Sequence, residues 1–232
     1  TMSFDQNHGT LKEWNINIPL LDTGGLTGYW NENEKNFHIF HYILNGMTDE
    51  ELYNEMGITC RDFQEFSCLT HDTDTDTKES NEKKMSADEE EWNENNLQEY
   101  LKFLDAVNAL KVEAEVVEML RVAIAVMHLS VLEFSSVDKK KNKDSSSNIT
   151  IKPPKTNNKS TVTTIAKLLG LDEKELESYL LCSNKEHPEH KTWSVGRAEL
   201  HRNIFMNELY QRGVSSLVTV LNKCGKCIES NS

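Results

Sequence analysis

The sequence predicts a mainly α-helical fold, a helical bundle with a small β-hairpin at its N-terminus. Three observations predict it. From about residue 91 onward, apolar residues recur at i, i+4 and i+7, which is the period of a helix with one buried face. Residues 113–134 are apolar on nearly every side, as expected of a helix enclosed by its neighbours at the centre of the core. Residues 1–22 instead alternate around a polar turn, the pattern of a hairpin.

The predicted hairpin raises a question about its own stability. Trp14, Ile16 and Ile18 lie on one side of its second strand. Because two strands alone are marginally stable in water, we expect the hairpin to need a sheet that the sequence does not obviously supply.

Two short helices are predicted next. Aromatic and aliphatic residues from Phe37 onward indicate a buried helix that Gly46 ends. The motif Thr48-Asp49-Glu50-Glu51 has the capping-box pattern of a further helix through Met56, which Gly57 closes.

The remaining helices are separated by charged or polar loops. An acidic loop at 70–90 has almost no apolar content, and a basic loop at 135–160 is rich in Lys, Ser and Asn. Between these loops, Leu97, Leu101 and Leu104 predict the buried face of a helix. Three further helices are predicted at 161–169, 172–182 and 194–222.

The last of these helices contains Gly213. Glycine inside a helix costs about 1 kcal/mol relative to Ala, so we expect fraying or bending there and a stabilising effect of Gly213→Ala. The linker that precedes this helix is a polar loop at 183–192, which holds Pro188.

Charge narrows the classes of partner. Lys and Arg number 25 against 38 Asp and Glu, a net charge of −13, which argues against general affinity for nucleic acid or for an anionic membrane. The charge is unevenly distributed, because residues 71–99 carry eleven acidic and three basic side chains while 137–159 carry seven Lys and two Asp. With no apolar run long enough to span a bilayer and no leader, we expect a cytoplasmic protein.

Cysteine and histidine give no predicted catalytic or metal site. Five cysteines form an odd set in a chain of 232 residues, so reduced thiols are expected. Cys224 and Cys227 have redox or zinc spacing, but they close a helix and lack further ligands, so a functional use is disfavoured. His38 and His128 sit in apolar helices and are interpreted as core histidines.

Four blocks in order resemble the myosin motor head. The sequence at 34–40 resembles the family signature Glu-Arg-Asn-Phe-His-Ile-Phe-Tyr, with Lys35 for Arg and His41 for Tyr. The blocks at 120–129, 166–170 and 207–222 are similar to the later head motifs Leu-Ala-Ala-Ile-Leu-His-Leu-Gly, Ala-x-Leu-Leu-Gly and Lys-x-Leu-Tyr-x-Arg-Leu-Phe-x-Trp-Leu-Val-x-x-Ile-Asn. Gly213 and Ser216 depart from the last motif, as expected of a divergent member.

The resemblance implies a partial P-loop NTPase-type motor domain, the stretch between switch I and switch II that forms the upper half of the actin-binding region. No Gly-x-x-x-x-Gly-Lys-Ser/Thr motif occurs in 1–232, so we expect no catalysis by this chain alone. Mg-ATP, an ATPase activity and a place in the cytoskeletal myosin complex are implied for the parent motor, with the actin filament and the remainder of the head as partners. The alternative is a free-standing helical interaction module with myosin-like packing and no motor activity.

The resemblance also assigns the candidate site residues. The basic loop matches the position of myosin loop 4, where its lysines could steer the head to acidic actin, although a solvated insertion explains the same composition. The polar loop matches the cardiomyopathy loop, whose regulatory negative position falls near His187, so Glu186 or Glu189 would supply a fixed charge. The residues expected to face actin are Lys139, Lys140, Lys141, Lys143, Lys185, Glu186, His187, Glu189 and Lys191.

Overall fold

Helices dominate the part of the chain that the computed structural model describes, which comprises residues 2–4, 11–18, 21, 23–27, 37–58, 61, 66, 68–69, 87–137, 148–152, 161–181 and 194–226. The predicted mainly α fold is confirmed, with two short antiparallel hairpins beside the helices. The strands are β1 (Met2–Phe4), β2 (Leu11–Trp14), β3 (Phe134–Val137) and β4 (Asn148–Ile151). The α-helices are α1 (His38–Gly46), α2 (Ala87–Leu110), α3 (Glu113–Ser130), α4 (Thr161–Leu169), α5 (Glu173–Leu180) and α6 (Val195–Lys226).

Helix α3 lies at the centre of the core, as its largely apolar sequence predicts. It packs against α6 on one side and α4 on another, with further contacts to α1 and α2. Every residue of α3 from Ala123 to Ser130 is buried. The helix ends at Ser130, so Phe134, which was expected at its end, instead begins β3.

The capping box predicted after α1 is present. The backbone N–H of Thr48 donates to Oε2 of Glu51 at 2.9 Å, and the backbone N–H of Glu51 donates to Oγ1 of Thr48 at 3.3 Å. The turn that follows, Glu51–Glu55, is a single wide helical turn rather than a longer α-helix. Gly57 closes it with φ of +71°, a left-handed conformation that favours glycine.

The N-terminal hairpin is stabilised by a helix instead of a larger sheet. Strands β1 and β2 pair antiparallel, with Met2 opposite Trp14, and the second strand is shorter than predicted. Nε1 of Trp14 donates to the Leu221 carbonyl of α6 at 3.0 Å. The amide side chain of Asn222 accepts from the N–H of Ile16 at 2.6 Å and donates to its carbonyl at 2.9 Å. Within the described residues, α6 therefore supplies the support that we expected from a sheet.

Two segments of the predicted basic loop form a second hairpin. Strands β3 and β4 pair antiparallel from Phe134 opposite Ile151 to Val137 opposite Asn148. The prediction of a loop throughout 135–160 is therefore wrong at 135–137 and 148–151. The apolar side chains of Phe134 and Ile149 are buried. The two strands were missed in the sequence analysis because each is only four residues long.

Helix α2 buries a different face from the predicted one. Tyr100 and Val107 are buried, and α1 packs against this side of the helix. Leu101 and Leu104 keep 46% and 38% of their surface exposed. The prediction that the Leu97–Leu101–Leu104 row is the buried face is therefore wrong.

Helix α6 continues unbroken past Gly213 to Lys226, four residues beyond the predicted end. A Cβ at position 213 would lie 2.7 Å from Sδ of Met119 and 3.2 Å from Cγ1 of Val122, both on α3. Gly213 thus permits a close approach of α6 to α3. Crowding against α3 opposes the helix-propensity gain, so the stabilisation that we expected of Gly213→Ala does not follow from this packing.

Candidate functional site

The two loops predicted to face actin are anchored at the same end of α6. Arg202 on α6 donates from Nη1 to the carbonyl oxygen of Leu132 at 2.6 Å, two residues before β3 begins. The ring of Tyr179, in the last turn of α5, lies 4.6 Å from His201 and 5.2 Å from Phe205. The start of the basic loop and the start of the polar loop are therefore both attached within residues 201–205.

The β3–β4 hairpin determines where the most basic part of the chain begins and ends. Ten residues, 138–147, separate Val137 from Asn148, and this stretch contains Lys139, Lys140, Lys141 and Lys143. At the base of the hairpin, the N–H of Lys152 donates to the Glu133 carbonyl at 2.9 Å, and the two side chains form an ion pair at 2.7 Å. The two ends of the basic stretch are thus held side by side.

All nine sequence-predicted site residues lie outside the described residues. The structure places the elements on either side of them. They are Lys139, Lys140, Lys141, Lys143, Lys185, Glu186, His187, Glu189 and Lys191.

Arg202 is the residue of this region that the sequence reasoning missed. Besides Leu132, its guanidinium donates from Nε and Nη2 to Oδ1 of Asn203 at 3.1 and 2.9 Å. Burial lowers the pKa of Arg202 from its ordinary value, and the nearby Glu199 carboxylate opposes that shift. The side chain stays cationic and complements the carbonyl end of α3. A signal was present, because Arg202 shares a helical face with the buried residues Met206 and Tyr210.

Comparison with known proteins identifies the family. The family model for the myosin head (motor domain) matches residues 1–231. The chain belongs to the myosin head family. It is also similar to human unconventional myosin-Ib, with 28% identity over 197 residues, which cover 82% of this chain and 15% of the human protein. The chain is thus a divergent myosin motor-domain segment, and it spans a small part of the length of that relative.

Two of the five cysteines, Cys68 and Cys224, lie in the described part of this myosin segment, and Cys227 lies outside it. In the described part of the chain, Cys68 and Cys224 take part in no disulfide, and burial raises the pKa of the Cys68 thiol to about 12. At Gly225, beside Cys224, an added Cβ would lie 2.6 Å from the Trp14 carbonyl oxygen. The glycine of the Cys-x-x-Cys sequence therefore has a packing role at the hairpin.

The described residues contain neither a candidate metal-binding cluster nor a candidate membrane-spanning helix. Among those residues, no group of three or more His, Cys, Asp or Glu side chains could hold a metal ion. Over the same residues, none of the helices combines the length and the apolar character needed to cross a bilayer.

The two histidines of the sequence analysis differ in their environments. His128 is buried on α3, and its Nε2 lies 2.8 Å from the carbonyl oxygen of Met56, so the interpretation as a core histidine is confirmed. His38 is exposed at the start of α1, 6.1 Å from the rings of Tyr42 and Trp92, so the same interpretation is wrong there.

Because His128 is buried, we expect the stability of the myosin segment to depend on pH. Burial lowers the pKa of His128 below 6.5, while the hydrogen bond to Met56 opposes the shift. Below pH 6.5 the unfolded chain binds a proton that the folded chain does not, so stability falls as pH falls, by at most about 1.4 kcal/mol per pH unit. Urea titrations from about pH 7.5 to about pH 5.5 measure this slope.

The variant His128→Gln isolates that contribution, because Gln keeps an N–H donor and does not titrate. We expect a flatter pH dependence for this variant than for the parent. His201→Gln is the control, since burial lowers the pKa of His201 as well but this side chain is only half-buried. Equal slopes for the parent and His128→Gln would contradict the assignment.

Proposed function

We propose that this chain is part of an ATP-driven motor that moves on actin filaments. The observation that carries the proposal is the match of the motor-domain family to 1–231. In this proposal the segment contributes actin-facing loops, and its helices couple the nucleotide state of the head to those loops. Its partners are the actin filament and the remainder of the myosin head, and it works at the cytoskeleton.

The nucleotide is proposed for the rest of the head. The residues of this chain do not fit a Mg-ATP site, because the phosphate-loop motif is missing from the sequence and the described residues contain no metal-binding group. Hence no catalytic step is assigned to this segment. Its role in the cycle is mechanical, through the contact of α3 with α6 and of α6 with the loop anchors.

The basic loop is proposed to steer the head towards the acidic filament. Two features support this proposal: four lysines lie in the ten residues between β3 and β4, and the hairpin is anchored to α6 through Arg202. Exposed charges at the rim of an interface raise the association rate more than they lengthen the bound state. They are also screened beyond about 8 Å at physiological salt.

The polar loop is proposed to contact actin beside the basic loop. Its neighbours α5 and α6 pack together through Tyr179, His201 and Phe205, close to the Arg202 anchor. In this proposal Glu186 or Glu189 supplies the negative charge, with Lys185 and Lys191 giving the loop a mixed character.

Charge reversal in the intact motor tests the proposal. With Lys139, Lys140, Lys141 and Lys143 replaced by Glu, we expect slower association with actin at low salt and a smaller change in dissociation. Stopped-flow mixing measures both rates. The control replaces Lys78, Lys83, Lys84 and Lys102 by Glu, which gives the same change in net charge in and beside the acidic loop. Equal association rates for parent and loop variant would instead favour a solvated insertion.

A further inference from the structure

Helix α2 carries an exposed row of leucines. The leucine row comprises Leu97, which is half-buried, with Leu101 and Leu104, which are 46% and 38% exposed. Tyr100 and Val107 face the core on a side roughly a third of a turn away. Aliphatic side chains at i, i+4 and i+7 on the solvent side of a helix form a continuous apolar stripe.

The shape of the row fits another helix. With the exposed Asn108, the spacing is four, three and four residues, which is the spacing of core positions in a coiled coil. Such a stripe is narrow, and a second helix laid along it can insert side chains between the leucines. A row of this kind is a typical docking site for an amphipathic helix.

The charge of α2 determines which helix can dock. This helix carries seven acidic side chains and one lysine, Lys102, which is paired with Glu99 at 2.7 Å. Glu94 and Asp105 border the leucine row, and among the described residues neither forms an ion pair. A second copy of α2 would place acidic residues against acidic residues, and an anionic membrane would repel the helix as well.

The acidic stretch that precedes α2 has no apolar side chains that could pack on the leucine row. Residues 70–84 contain no apolar side chain and have more acidic than basic residues. Their charge adds to that of α2 and disfavours anionic partners further.

We propose that the leucine row of α2 docks a cationic amphipathic helix of a partner protein. The apolar face of the partner covers Leu97, Leu101 and Leu104, and its basic edge pairs with Glu94 and Asp105. The row lies on α2 and α2 packs on α1, whereas the loop anchors lie on α6. The proposal is therefore independent of the actin contact.

A synthetic peptide tests the apolar part of the proposal. The probe has three heptads with Leu at the core positions and Lys at the flanking ones, and its binding to the full chain is followed by fluorescence anisotropy. We expect Leu101→Ser with Leu104→Ser to weaken binding about tenfold or more. The control, Leu200→Ser with Ile204→Ser, removes a pair on α6 that is more exposed, 59% and 50%, and should leave binding unchanged. Equal losses in both double variants would overturn the proposal.

The charge part is tested separately. The double variant Glu94→Lys with Asp105→Lys changes only exposed side chains, so it should fold. We expect this variant to bind the Lys peptide more weakly than the parent does, and we expect its binding to depend less on salt. A peptide with Glu in place of Lys should not bind the parent chain. Binding of the Glu peptide would overturn the choice of a cationic partner. So would self-association of the parent chain, if the Leu101→Ser with Leu104→Ser variant abolishes it.

Discussion

Replacement of Leu120 by Asp is expected to destabilise the fold by about 4 kcal/mol, because it buries an unpaired carboxylate in the central helix. Leu120 on α3 is 4% exposed and belongs to the face that packs in the core. A loss of this size is a large part of the 5–15 kcal/mol that typically stabilises a domain. Thermal and urea unfolding followed by far-ultraviolet circular dichroism measure it.

The matched control is Val117→Asp on the same helix. Val117 is 39% exposed, so its carboxylate stays in water, and the change should cost no more than about 1 kcal/mol. Both variants introduce the same charge into α3, three residues apart. Melting temperatures that fall equally would show that the helix is not the centre of the core.

The sequence was sufficient for elements whose signals are local. The second half of α3 is apolar on nearly every side, and the capping box of Thr48 and Glu51 is a pattern within four residues. The short helical turn after the capping box ends at Gly57, which has a positive φ, a conformation that glycine adopts more readily than other residues. These features need no knowledge of distant partners, so pattern and propensity were enough to predict them.

The errors arise where a distant element decides the outcome. Helix α2 has two apolar faces, and the contact of Tyr100 with α1 decides which one is buried. Strands β3 and β4 form because residues that lie more than ten positions apart pair across the hairpin. Sheet pairing depends on such non-local contacts more than on the composition of each strand, and half of the residues in these two strands are polar.

Two glycines of α6 also show that contacts with distant elements, and not only local helix propensity, determine the role of a residue. Propensity alone predicts a weak point in α6 at Gly213, whereas the structure shows a close approach of α6 to Met119 and Val122 of α3 there. Gly225 has a similar role against the Trp14 carbonyl. In both cases the absent side chain serves packing between elements far apart in the sequence.

The candidate site was predictable only in outline. Charge patterning and the family resemblance indicate the two loops, but they do not reveal the anchor on α6. Arg202 was identifiable in principle as a cation on an apolar helical face, but its acceptor is the carbonyl of Leu132, seventy residues earlier in the chain. A backbone acceptor has no sequence signature, so the connection between the loops required the structure.

Gly46→Ala is expected to destabilise the fold by about 3 kcal/mol, at the upper end of the range for overpacking. A Cβ on Gly46, the last residue of α1, would overlap Cδ1 and Cγ of the Tyr100 ring and lie 2.7 Å from Tyr100 Cβ. Rotation of the ring cannot move Cβ, so α1 and α2 must separate, and their contact is one of the largest in the fold. Urea denaturation gives the free energy of unfolding.

Two further variants decide whether the clash with Tyr100 is the cause. Gly196→Ala, near the start of α6, meets no atom within 4 Å, so it should be neutral or stabilise the fold by up to about 1 kcal/mol. In a Tyr100→Ala background the overlaps with Cδ1 and Cγ are gone and the 2.7 Å contact with Cβ remains, so Gly46→Ala should cost less than in the parent but not become neutral, which a double-mutant cycle measures as a coupling energy. A cycle without coupling would mean that the Tyr100 ring is not the source of the cost. A positive coupling instead locates the cost in the contact of α1 with α2, the same contact that turns the leucine row of α2 towards solvent.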